Sequence, residues 1–289
     1  MPSLRQLNMR IKSVQTTTKL TKAMQAVAAM RLRKLTKQAA ITNAYKGTLQ
    51  NIYDSLSASP SLKQSTSPYF TSNLDAPILF VVVSPTRGFC GGLHRTVVTQ
   101  TYQQIRQLGL DPLIDNQVKF VTVGRPAQKM VSKLGGNIIA SFNKNYKEIS
   151  AYTLLPIAEL VNQVWIQENI KEIVVVYAES STSLHSTIVF NSILPFVVTE
   201  NLATQEKYVM NLPIDVNPLI DDFAPQWIQM QIHNAVVQTR TSEEGARMVA
   251  MNQATDNAKR LSDKLKLSYF RLRQAKITQE ISEIVGGSL

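Results

Sequence analysis

Leu4, Leu7, Ile11 and Val14 recur at spacings of three, four and three, and after the polar run "TTTK" apolar residues return at Leu20, Met24 and Val27, then Leu32, Leu35 and Ala39. This periodicity predicts a helix with a seam of coiled-coil spacing that drifts around it. Between Pro2 and Pro60 there is no proline and the only glycine is Gly47, so nothing stops that helix before about residue 56. A second long helix is predicted from residue 226 to 289, where proline is again absent. There Ala246, Ala250, Ala254 and Ala258 recur every four residues and would let another helix approach closely. Leu261, Leu265, Leu272, Ile277, Ile281 and Ile284 extend its apolar surface.

Between the helices the period changes. "ILFVVV" (78–83), "VKFVTV" (118–123) and "EIVVVY" (172–177) read as buried strands, and amphipathic helices are expected at 94–108, 125–134 and 152–168. Such alternation implies a mainly parallel sheet covered on both faces. The fold class is therefore α/β. Residues 1–56 form one terminal helix, 57–76 a Ser/Thr/Pro-rich linker, 77–200 the inserted domain, 201–225 a second linker and 226–289 the other helix. At about 1.5 Å per residue, helices of this length reach roughly 75–90 Å and outrun the domain they bracket.

Charge sharpens this picture. The chain has 289 residues, 44% hydrophobic, and a formal net charge of +11. No acidic residue occurs from Met1 to Tyr53, whereas ten lysines and arginines do, Lys22 among them. Such a face suits an acidic partner, which could be nucleic acid, anionic lipid or protein. No apolar run approaches the ~18 residues that span a bilayer. One cysteine excludes an intramolecular disulfide framework.

"SPTRGFCGGLHR" (84–95) is the strongest candidate for chemistry, because it follows a strand, is glycine-rich and holds Cys90 near His94. It matches neither a dinucleotide fingerprint nor a P-loop. A Cys/His pair four residues apart, without an orienting group, supports a nucleophile only thinly. The glycines suit a tight turn, and Arg87 and Arg95 suit acidic groups. No metal-ligand spacing involves the three histidines. No catalytic residue, cofactor or metal is expected. A basic helical hairpin that binds nucleic acid, and a small hydrolase using Cys90, remain as rivals.

"ARMVAMNQATDNAKRLSDKLKLSYFRLRQAKITQEISEIVGG" (246–287) resembles the C-terminal signature of the γ-subunit family of F-type ATP synthases. "RIKSVQTTTKLTKAMQAVAAMRLRKL" (10–35) is similar to that family's opening helix, and "TRGFCGG" (86–92) to its central loop. The three matches fall in the family's order. The resemblance implies a non-catalytic central rotor stalk that couples ion flow through the membrane ring to ATP synthesis or hydrolysis on the β subunits. It implies an antiparallel coiled coil of the two terminal helices and a Rossmann-like insert. Implied partners are the α3β3 hexamer, the ε subunit and the c-ring. It places Arg273 and Gln274 at a polar contact with a catalytic-subunit loop, with Thr278 and Glu280 further along. Met24 and Arg247 stand at matching positions on the facing helices, where rotation is coupled to catalysis. It further implies that Lys22 faces acidic β segments and that Arg87 and Arg95 face the acidic C-terminal region of a passing β subunit. The family loop commonly reads S-D-R-G-L-C-G-G-x-N, whereas Pro85, Thr86 and His94 stand here. Because the family motif begins almost at Met1, no cleavable leader is expected, which points to the cytoplasmic face of a bacterial inner membrane, in peripheral association.

Overall fold

The computed structural model describes residues 3–57, 65, 67–71, 73, 75–114, 117–144, 149–182, 185–197 and 217–286. The backbone groups into two units, Leu32–Ala246 and the pair Met1–Arg31 with Arg247–Leu289. Helix α1 (Leu4–Ser57) and helix α5 (Asn217–Gly286) each contribute to both.

The larger unit contains five strands, β1 (Ile78–Val83), β2 (Val118–Val123), β3 (Ile138–Phe142), β4 (Glu172–Thr182) and β5 (His185–Leu194), in the order β3-β2-β1-β4-β5. The first four are mutually parallel, and β5 runs antiparallel to β4. All six residues of β1 are buried, which explains why its sequence shows no polar alternation. Ile78, Phe80 and Val82 pack with α2 (Leu93–Gln107) and α3 (Arg125–Lys133) through Val97, Val98, Ile105 and Val131. Leu79, Val81 and Val83 belong to the opposite core, with Leu154, Ile157 and Val161 of α4 (Ala151–Gln167). Leu49 and Leu56 of α1 and Trp227 and Ile228 of α5 complete that layer.

The three strands and three helices expected here form within a residue or two of the positions read from the sequence, except that β4 runs five residues past its expected end, to Thr182. β3 and β5 were not anticipated. β3 is short and only half-buried, and β5 is an edge strand whose polar residues mask its apolar ones. The expected domain edges, 77 and 200, fall inside the larger unit rather than at its limits. The stretch 57–76, expected as a linker, places Tyr69 in the core, where its hydroxyl bonds Asn162 Oδ1 at 2.8 Å.

The start of α5 requires a further correction. The helix begins at Asn217, not after Pro225, so that nine residues expected in a linker are helical and Pro225 lies inside. Pro218 sits in the first turn, where a missing N–H costs nothing. Pro225 forfeits a bond to the carbonyl of Asp221, a loss of roughly 3 kcal/mol. Burial of Ile220, Phe223, Ala224, Trp227 and Ile228 offsets it, at about 1.5–3 kcal/mol for each large side chain. The rest of the second expected linker, 201–216, lies outside the described residues.

In the smaller unit α1 and α5 run antiparallel. Thr21 Oγ1 lies 2.7 Å from Thr255 Oγ1, and Gln25 Nε2 donates to Asn252 Oδ1 at 3.1 Å. The seam on α1 runs through Leu7, Ile11, Val14, Thr18, Thr21, Gln25 and Ala28, all buried or half-buried. On α5 it runs through Met251, Thr255, Ala258, Ser262, Leu265, Tyr269 and Leu272. Both series alternate steps of four and three. Leu20 and Val27, expected on the seam, are exposed, because threonines rather than leucines hold the register across "TTTK".

Candidate functional surface

The turn from β1 into α2 is shaped by two left-handed residues, Phe89 at φ 62° and Gly91 at φ 63°. A close approach sits beneath it, since a Cβ on Gly124 would lie 2.6 Å from Ser84 Oγ. Ser84 Oγ in turn accepts the amide of Ala127 at 3.1 Å, tying the end of β1 to the first turn of α3. Cys90 is buried at 1% exposure, with its Sγ 3.4 Å from the Arg87 carbonyl and 4.0 Å from His94 Nδ1. A thiol enclosed in this way packs with Leu93 and Val97 and offers no open face to a substrate. The hydrolase reading is thereby corrected.

What holds this turn comes from α5. The carboxylate of Glu243, fully buried, accepts the backbone amides of Thr86 at 2.9 Å and Arg87 at 3.2 Å. Arg240, one turn earlier, pairs with Glu243 at 3.1 Å and also donates to Thr86 Oγ1. Neither Arg240 nor Glu243 was singled out from the sequence. The only available signal was a charged pair three residues apart in "TRTSEEGAR", which reads as an ordinary solvated helix face. Phe89, by contrast, projects with 70% exposure, and Arg95 on the first turn of α2 is exposed. Arg87 is half-buried.

The other expected residues lie on the helix pair. Lys22 is exposed and Met24 half-buried on α1. Arg247 is buried at 5% exposure, so its guanidinium is turned into this chain rather than toward an outside partner. The Thr21–Thr255 and Gln25–Asn252 contacts set Met24 opposite about residue 252, about five residues along the axis from Arg247. Arg273, Gln274, Thr278 and Glu280 are all exposed on α5. Thr278 Oγ1 donates to the Gln274 carbonyl at 3.0 Å, and Lys276 lies 3.7 Å from Glu280. The same register puts Leu4 opposite about residue 272, and every residue from 273 to 285 is exposed. Ile277, Ile281 and Ile284, four and three apart, form an apolar stripe on that stretch. Arg87 and Arg95 belong to the larger unit and the other seven residues to the smaller.

Two further features bear on chemistry. His233 is half-buried, and desolvation pushes its pKa below the usual imidazole value against a backbone hydrogen bond near Ile149. Among the described residues, no group of three or more His, Cys, Asp or Glu side chains could hold a metal ion.

The family model described as ATP synthase matches residues 3–289. An ATP synthase gamma chain from Heliobacterium modesticaldum is 32% identical over 295 residues, covering 100% of this chain and 99% of the relative. One from Clostridium novyi is 33% identical over 284 residues, covering 96% and 95%. Among solved structures, a chain of the Euglena gracilis mitochondrial ATP synthase (OSCP/F1/c-ring, rotational state 3) is similar with TM-score 0.67 at 15% identity, covering 99% of this chain and 93% of that one. A chain of the Tetrahymena thermophila mitochondrial ATP synthase central stalk/c-ring gives 0.61 at 17% identity, covering 81% and 99%.

Proposed function

The chain belongs to the ATP synthase gamma-chain family, and from that premise we propose that it works as the rotor, or central stalk, coupling ion flow through a membrane ring to ATP synthesis or hydrolysis on the β subunits. The terminal helices act as an antiparallel left-handed coiled coil inside an α3β3 ring. The larger unit, whose strand order 3-2-1-4-5 suits a Rossmann-like insert, meets the ε subunit and the c-ring. Nucleotide chemistry stays on the β subunits.

One observation carries this reading. The helix pair has a thin, partly polar seam, while its outer surface is basic on α1 and, past the end of α1, carries the exposed stripe Ile277, Ile281 and Ile284. Exposed apolar side chains rimmed by polar ones fit a surrounding protein surface. Arg273, Gln274, Thr278 and Glu280 border that stripe and serve as polar contacts with the catalytic subunits. Lys22 and its basic neighbours slide against acidic β segments, since charge gives attraction without a fixed fit. Met24 lies on the coupling face, with Arg247 supporting the helix from within. Arg87 and Arg95 meet the acidic C-terminal region of a passing β subunit. Two helices lack threefold symmetry, so each rotation step offers a different face to each β subunit and shifts which nucleotide state that site prefers.

Among the described residues no helix is long and apolar enough to cross a membrane. Association through the c-ring, at the cytoplasmic face of a bacterial inner membrane, is the location that the bacterial relatives support.

The test is Met24→Lys in the assembled complex. A charge placed on the coupling face lowers ion pumping per ATP hydrolysed more than it lowers hydrolysis itself. Equal losses traced to failed assembly overturn the coupling role, and a wild-type chain that does not co-purify with α and β overturns the rotor reading.

A further inference from the structure

A carboxylate removed from water needs compensation by charge and by hydrogen bonds together. Glu243 has both, and both tie it to one place: two amides of the β1–α2 turn and the guanidinium of Arg240. The amides belong to consecutive residues, so the carboxylate grips the backbone in bidentate fashion rather than a side chain that could swing away. Arg240 closes the circuit by donating to the Thr86 hydroxyl. Three residues after Arg87, Cys90 is fixed by burial among Leu93 and Val97, with its Sγ near the Arg87 carbonyl.

Phe89 lies between these two anchors. A bulky residue in the left-handed region is costly and persists only where its surroundings impose it. Here it also exposes most of its ring. We propose that Glu243 is a positioning residue for coupling: by clamping the amides of Thr86 and Arg87 it holds the turn so that Phe89 stands as a fixed apolar knob, flanked by Arg95, toward the acidic catalytic-subunit surface that the turn meets. This rests on the rotor reading given above. It adds the residue that gives the turn its shape and the side chain that the shape presents.

The experiment compares Glu243→Gln, Phe89→Ala and the double variant in the complete complex, membrane ring included, in membrane vesicles, reading amide hydrogen exchange at residues 84–92 and ion pumping per ATP hydrolysed. Gln keeps the shape but loses the charge, so exchange at Thr86 and Arg87 accelerates about ten-fold or more while β1 is unchanged. Pumping per ATP falls in both single variants, and the double is no worse than the more affected single, as expected of residues acting as one unit. Phe89→Ala leaves exchange at 86 and 87 slow, which separates the knob from the clamp. Unchanged exchange in Glu243→Gln overturns the clamp. Faster exchange with normal pumping in both single variants overturns the positioning role while leaving the rotor reading standing. If Glu243→Gln fails to accumulate, Glu243→Asp decides. Its carboxylate keeps the charge but falls one methylene short of the turn, so faster exchange at 86 and 87 supports the clamp and unchanged exchange overturns it.

Discussion

In the sheet, β1 alone sends six consecutive side chains into two apolar cores, three to each face, and none of them is polar. Along the helix pair, the buried seam positions include Thr21, Thr255 and Ser262 with Ala28, and large apolar residues such as Leu20, Val27 and Leu261 stand outside. Both regions follow regular periods, two for the strands and alternating three and four for the helices. The difference is in what each does with its apolar surface. The sheet uses nearly all of it internally, so the larger unit is stabilised by its own core. Two helices can bury only one stripe each, and this pair fills part of that stripe with hydroxyls and small side chains. The remainder faces outward, as the surrounding subunits proposed above would require.

The largest expected effect comes from breaking the self-sufficient side. Phe80 is fully buried and tilts against Phe120 with ring centroids 6.2 Å apart. Phe80→Ala should cost about 3–5 kcal/mol in the larger unit. Both tryptophans of the chain, Trp165 and Trp227, are buried in that unit, so tryptophan fluorescence during denaturant unfolding reports it alone. A loss below about 1 kcal/mol would mean that the core collapses around the gap and the contrast drawn here fails.

A second effect confined to the same side appears at alkaline pH. Burial raises Tyr102 and Tyr177 to about 12 from the ordinary 10, with the charge of Glu179 adding to burial at Tyr177. Between these values the unfolded chain has released its phenolic protons and the folded chain has kept them. Stability is therefore intact below pH 10 and falls as pH rises toward 12, by roughly 2–3 kcal/mol for each tyrosine. Denaturation midpoints at pH 9 and pH 11.5 measure it, and Tyr102→Phe should remove part of the decline. A midpoint that does not move between those pH values would sink the prediction.

How much of this was legible in the sequence follows from the same contrast. β1, β2 and β4 announce themselves because burial on both faces leaves runs that are mostly apolar, wholly so in β1 and broken only by Lys119 and Thr122 in β2. β3 and β5 did not, since partial burial at an edge produces mixed sequences. The terminal helices are legible from long stretches without proline and with little glycine, but their seam is not legible across Thr18 and Thr21. Apolarity ordinarily marks the buried face, whereas here hydroxyls do. The start of α5 was misplaced because Pro225 reads as a breaker unless tertiary burial is known. The roles expected of Lys22, Arg273 and Gln274 rest on motif resemblance alone. Glu243 had no such signal, because a buried carboxylate looks like a solvated one until the backbone it grips is folded beside it.

The smallest expected effect tests the seam itself. Thr21 Oγ1 and Thr255 Oγ1 lie 2.7 Å apart, and each also reaches a carbonyl of its own helix, Thr18 at 3.1 Å and Met251 at 2.8 Å. Thr255→Val removes one hydroxyl but leaves the other with a backbone acceptor, so the cost should be about 1 kcal/mol or less. Replacing both by valine leaves no hydroxyl in the pair and adds apolar contact of the same shape, which should return stability to about the wild-type level. Amide exchange along residues 247–272, which carry no tryptophan, measures both variants in the smaller unit. A double variant that loses 3 kcal/mol or more would show that the threonines build a specific polar core, and the helix pair would then resemble the sheet in holding itself together. A near-neutral double variant leaves a different role for them. The hydroxyl pair fixes which residue of α1 faces which residue of α5, because a one-turn slip would part Thr21 from Thr255. A shaft that is loaded from outside needs that register kept more than it needs a deep core.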